Sequence, residues 1–186
     1  MNSRWQILNP AVAAFVAVLA VAPVQAQDSA DLDSLLLDLR NPEAENWQRI
    51  ERQIFRAWSR SGSPSADLLL QRGRDAMARG DSKAAIEHFT AAIDHAPDFA
   101  EAWHARATAW FMTKQYGPAL SDLAETVARN PDHFAALIGI ARILEEMERY
   151  DDARRTLYAV QAIHPHRRDV SDALQRLDRR LNGYTL

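Results

Sequence analysis

The sequence predicts an all-α chain built as a solenoid of helical hairpins, and three observations predict it. A shift of 34 residues brings Leu69, Trp103 and Leu137 into one column. The same shift aligns Gly73 with Ala107 and Ala141, Ala76 with Trp110 and Leu144, Ala85 with Ala119 and Ala153, and Phe89 with Leu123 and Leu157. Pro97, Pro131 and Pro165 close the units at the same interval. A fixed period of this length is the signature of stacked supersecondary units, each too thin to bury its own apolar faces.

The first element in chain order is unlike the rest. Within residues 1–26 Arg4 is the only charged side chain, Ala11–Ala22 is an unbroken apolar run, and Val24-Gln25-Ala26 offers small residues at the −3 and −1 places of a cleavage site. That order is a secretory signal peptide cut after Ala26. Twelve apolar residues rise about 18 Å as a helix, short of a bilayer core of roughly 30 Å. The expectation is therefore export to a periplasm, with no stable membrane insertion once the signal is removed. Retention of the segment as an uncut anchor is the alternative.

Residues 27–65 read as a divergent helix pair, a worn repeat covering the amino-terminal end of the stack. Leu32, Leu35, Leu36 and Leu39 make one stripe, and Trp47, Ile50, Ile54 and Trp58 another, spaced three or four apart. Asn41-Pro42 is expected to cap and open the second helix. The Trp47/Trp58 stripe reads as core. Gly62 is expected to stop the pair, with Ser63 or Ser65 capping the next helix.

Residues 66–167 hold three units, 66–99, 100–133 and 134–167. The expected hairpins pair 66–79 with 83–95, 100–113 with 117–129, and 134–147 with 151–163. Apolar residues at places 4, 11 and 24 of each unit fall at helical spacing and must meet another helix to leave water. Small residues at places 8 and 20 let backbones approach, and the closing proline starts a segment without losing an interior hydrogen bond. Gly80-Asp81 and Gln115-Tyr116-Gly117-Pro118 read as the turns inside the first two units. Residues 168–186 form a capping helix and tail: Val170, Leu174, Leu177 and Leu181 share one face, and Gly183 ends the helix.

These columns resemble the tetratricopeptide repeat family, with a bulky residue at place 4, small ones at 8 and 20, an aromatic near 24 and proline at 32. The resemblance implies a right-handed superhelix whose first helices line a concave wall. It departs from the pattern at place 7, where Arg72 and Arg106 stand before Ile140 restores an apolar residue. Carried over by register, the binding wall consists of Leu70, Arg74, Met77, His104, Thr108, Phe111, Ile138 and Arg142. Arginines among apolar side chains suit a peptide segment bearing a carboxylate.

Composition limits the alternatives. Without the leader the chain carries 21 Lys and Arg against 25 Asp and Glu, so nothing attracts it generally to nucleic acid. The absence of cysteine removes disulfides and thiolate metal sites. No nucleophile elbow, phosphate loop or His-Glu zinc motif occurs, so neither a catalytic site, a cofactor nor a metal is expected. The pairs Glu145-Glu146 and Asp151-Asp152 are neighbours that do not share a helix face. His164 is expected to favour a positive charge at a helix carboxyl end. The function expected is a non-enzymatic protein- or peptide-binding scaffold in the bacterial periplasm. A structural subunit or assembly factor of a cell-envelope complex is the alternative, an envelope enzyme a weaker one, and a two-sided solenoid leaves a homo-oligomer open.

Overall fold

The computed structural model describes residues 24–183, with side chains described from residue 31 onward. Among the described residues there are nine helices and no strand. They are α1 Val24–Arg40, α2 Trp47–Trp58, α3 Pro64–Ala78, α4 Ser82–His95, α5 Ala100–Met112, α6 Tyr116–Arg129, α7 Phe134–Glu146, α8 Tyr150–Ile163 and α9 Arg168–Asn182. None is long and apolar enough to cross a membrane. The apolar run Ala11–Ala22 and most of the expected leader lie outside the described residues.

The helices from α3 to α8 pack as consecutive hairpins, α3 on α4, α5 on α6 and α7 on α8, and each hairpin meets the next. The repeat columns explain the packing directly. Phe89, Leu123 and Leu157 are buried, and Ala85, Ala119 and Ala153 are fully so. A methyl group built on Gly73 would stand 2.2 Å from the Phe89 ring, so place 8 must be small where place 24 is an aromatic. The α9 helix closes the stack by burying Val170, Ala173, Leu174 and Leu177, and Gly183 follows its last residue.

All three hairpin turns use one device. Gly80, Lys114 and Glu148 occupy place 15 of their units with φ of 77°, 58° and 59°. In each, the left-handed residue bonds back to the carbonyl three before it, and the next residue bonds back five: Asp81 to Ala76, Gln115 to Trp110, Arg149 to Leu144. These paired bonds satisfy carbonyls that the helix end leaves open. The second turn therefore lies earlier than Gly117-Pro118, which sit in the first turn of α6. Proline costs nothing there, because the first amides of a helix have no internal partner.

The amino-terminal pair departs more from expectation. The Asn41-Pro42 start is overturned: α2 begins at Trp47, and the Asn41 side chain instead accepts from the Glu43 amide in the connecting turn. Ser63 does cap α3, accepting from the Ala66 amide at 3.4 Å. The pair packs chiefly on the far end of the stack. Leu36, Leu39, Ile50, Ile54 and Trp58 share one core with Phe134, Leu157, Ile163 and Val170, residues of α7, α8 and α9. Arg40 pairs with Asp132 at 2.6 Å, and α1 lies against α8. The physical reason is chemical matching: the α2 aromatics meet Phe134 and a set of histidines at the boundaries between units.

Candidate functional site

Five of the eight wall residues come together. His104, Thr108 and Phe111 of α5 face Ile138 and Arg142 of α7 across a cleft of about 120 Å³ floored by Ala107, Leu123 and Ile143. Gly139 stands 3.2 Å, measured from an added methyl, from the Leu123 side chain, so the absence of a side chain keeps the floor open. No acidic residue lines the cleft. Arg142 is exposed at its rim and has no ion-pair partner among the described residues. The arrangement offers an apolar slot beside an unneutralised guanidinium, which suits an apolar side chain next to a carboxylate.

The first-unit members stand apart from this cleft. Leu70 is 1% exposed and belongs to the core with Phe89 and Ile93, so it presents no wall surface. Met77 packs half-buried on that same core. Arg74 is already engaged, 2.6 Å from Glu101 and 3.1 Å from the Ser59 hydroxyl. The place-7 arginines also separate: Arg72 is exposed, whereas Arg106 grips the buried Asp122 through two bonds of 2.8 Å and lies over the Trp103 ring.

The end of the wall near Arg74 is covered by the chain itself. Trp58 stacks on His133 with ring centres 4.4 Å apart, and His133 in turn lies 4.6 Å from His104. Phe55 and Trp58 both pack on Phe134, which meets His164 edge-on. At the other end of α2, Trp47 meets His164 edge-on at 5.4 Å and stacks on His166 at 5.7 Å. The α2 helix thus runs along the boundaries between units, from the α8–α9 corner to the wall residue His104.

Each end of α2 sits by a carboxylate shared between an arginine and a histidine. Glu101 faces Arg74 at 2.6 Å, His133 at 3.0 Å and His104 at 3.4 Å. Burial alone would raise the Glu101 carboxyl. The hydrogen bond from His133 and the close His104 ring outweigh it and hold the group far below the usual carboxylate range. Burial pushes His133 down despite its bond to Glu101. Its Nδ1 accepts from the Ala136 amide at 3.1 Å, so the proton sits on Nε2 and is donated to Glu101. At the second end Glu51 faces Arg167 at 3.0 Å and His164 at 3.3 Å. His164 does follow the last residue of α8, and there burial pushes it down, against a favoured positive charge.

The tetratricopeptide repeat family model matches residues 70–122 and 111–177. A TPR repeat-containing protein of Rhizobium etli is 30% identical over 153 residues, covering 82% of this chain and 75% of that protein. This chain belongs to the tetratricopeptide repeat family. Two solved tetratricopeptide domains share the fold. The first domain of Spaghetti (RPAP3), bound to an HSP90 peptide, superposes with a TM-score of 0.62 at 22% identity, covering 64% of this chain and 95% of its own. The yeast Sti1 TPR2B domain, in a complex with pHsp70, gives 0.60 at 20% identity, covering 63% and 99%.

Within this tetratricopeptide stack, Glu101, His104 and His133 also bring three metal-ligand atoms within 4.8 Å. Their bonding opposes a metal. The Ala136 amide occupies His133 Nδ1, so binding through Nε2 would demand an imidazolate, and the Arg74 charge already neutralises Glu101. Sequence alone does not bring Glu101, His133 and Glu51 together with α2. The available signal was that Glu101 and His104 lie three apart on one face, on a helix that also carries Arg106, Trp103 and Trp110.

Proposed function

We propose that this tetratricopeptide chain is a non-enzymatic scaffold that binds a protein or peptide segment in the α5–α7 cleft, and that it works in the bacterial periplasm. The observation carrying the reading is the open apolar slot of Phe111 and Ile138 beside the unpaired Arg142. Peptide complexes of the RPAP3 and Sti1 domains support the class of partner. The leader-like residues 1–26 support the compartment. The favoured segment carries an apolar side chain followed within a residue or two by a carboxylate, because Arg142 stands at the rim and no acid opposes it.

The test is affinity capture from a native cell envelope with the wild type and a Phe111→Ala/Arg142→Glu variant. Partners that bind the wild type and drop out with the variant, while circular dichroism stays unchanged, support the cleft. Identical partner sets from both proteins remove it. Mass measurement of the exported protein tests the compartment: a new terminus at Gln27 supports export, and an intact Met1 argues against cleavage.

A further inference from the structure

We propose that α2 is a releasable occupant of the tetratricopeptide wall, held in cis by His133 and His164 and freed when both take up protons. The wall has an open part, the α5–α7 cleft, and a latched part, the surface around Arg74, Glu101, His104 and Phe134. The latch is α2.

The two attachment points repeat one design. At the first, Trp58 of α2 covers the ring of His133, whose side chain is wholly buried. Facing that imidazole are Glu101 and His104 from α5, Arg74 of α3 through Glu101, the Ser59 hydroxyl after α2, and the Arg40–Asp132 pair that ties α1 beside it. At the second, Trp47 of α2 meets His164, also wholly buried. Facing it are Glu51 of α2, Phe134 of α7, His166, and Arg167 at the start of α9, which also grips Asp169. His164 Nδ1 is buried with no hydrogen-bond partner.

Adding a proton is unfavourable at both buried rings. At His133 it must enter Nδ1, which destroys the bond from the Ala136 amide and sets two N–H groups face to face. Glu101 cannot balance the new charge alone, because Arg74 already neutralises it. At His164 no bond is lost, since Nδ1 has no partner, but the new N–H is buried without an acceptor, and Arg167 already neutralises Glu51. Two added charges thus lie buried under two tryptophans, and water reaches them only if α2 lifts. Release of α2 opens one side of the core it shares with α7–α9, but the hairpin packing from α3 to α9 and the cores of the first two units do not include α2, so the stack persists while the cover leaves.

This inference concerns the position of α2 and does not rest on the identity of any cleft partner. The chain has no cysteine, so spin labels go only where they are placed. The reporting pair is Arg52→Cys on the exposed side of α2 with Ala159→Cys on α8, and the control pair is Glu87→Cys on α4 with Ala159→Cys. Pulsed electron resonance on the full chain at about pH 7.5 and about pH 5 brackets histidine titration. The expected result is a single short separation for the reporting pair at the higher pH and a longer population at the lower, with the control pair unchanged. A reporting pair that does not respond overturns the proposal, and so does a control pair that moves with it. The His133→Asn/His164→Gln variant should keep α2 docked in acid; release that persists there overturns the histidine trigger. If that variant loosens α2 by itself, His133→Lys decides. Release at the higher pH with the control pair fixed supports the latch, and a docked α2 overturns it.

Discussion

Gly73 and the place-15 residues show how one position can fix a unit. A methyl at Gly73 would meet three ring atoms of Phe89 at 2.2–2.8 Å, and that ring is buried in the core at 1% exposure. Gly73→Ala is therefore expected to lower stability by about 1–3 kcal/mol, read as the midpoint of urea unfolding. Lys114 makes the opposite case. It holds φ of 58° in a turn where its counterpart Gly80 has 77°, so an L side chain bears the strain that glycine avoids. Lys114→Gly should raise stability by up to about 1 kcal/mol, the gain in the turn being partly offset by a looser unfolded chain. A lower midpoint for that variant would mean that the Lys114 side chain contributes more than its backbone costs.

At the scale of elements, the α5–α6 hairpin carries a buried ion pair at a place where the first unit leaves Arg72 exposed and the third has Ile140. Arg106 spends the place-7 position on a two-pronged grip of Asp122, which is 4% exposed, and on the Thr90 hydroxyl. Asp122→Ala leaves that guanidinium without its partner and should cost about 3 kcal/mol in thermal or urea unfolding. Arg106→Leu combined with Asp122→Leu should recover most of the loss. The sequence showed the hairpins from α3 to α8 almost in full, because every column that makes them is an i to i+34 repetition of size. It also placed His104, Thr108, Phe111, Ile138 and Arg142 on one wall, through the repeat register and the family resemblance, while helical spacing put those of each helix on one face. It misplaced the start of α2 and the second turn, where proline and glycine were read as punctuation although Lys114 and Asn46 occupy the decisive positions. The docking of α2 was not legible at all. A stripe of Ile50, Ile54 and Trp58 states that something must cover it, and only the tertiary contacts of His133, His164 and Phe134 say what.

For the whole molecule, two histidines buried in neutral form make stability depend on pH in a known direction. Their pKa values in the folded chain lie below the ordinary histidine value. Between the two, the unfolded chain binds more protons than the folded one, so stability is full above about pH 6.5 and falls on acidification. Glu101 adds nothing to this window, because its depressed pKa keeps it ionised until strong acid, where its own contribution is lost. Urea midpoints should fall steadily from about pH 7.5 to about pH 5.5, and His133→Asn should flatten part of that slope. Flat midpoints across the range would show that the buried rings titrate freely.

The path of α2 also bears on how the molecule comes apart. Solenoids tend to fray, because each unit touches only the ones beside it and an end can melt while the middle holds. Here one helix spans from Arg74 of the first unit to Arg167 beside the terminal cap, much as a spine binds the pages of a book. While that spine is docked, an end can melt only by breaking its contacts with it, so no unit frays alone. The intact chain should lose its structure in one sharp step at neutral pH. A chain beginning at residue 63 should shed its units in sequence, with a broader transition.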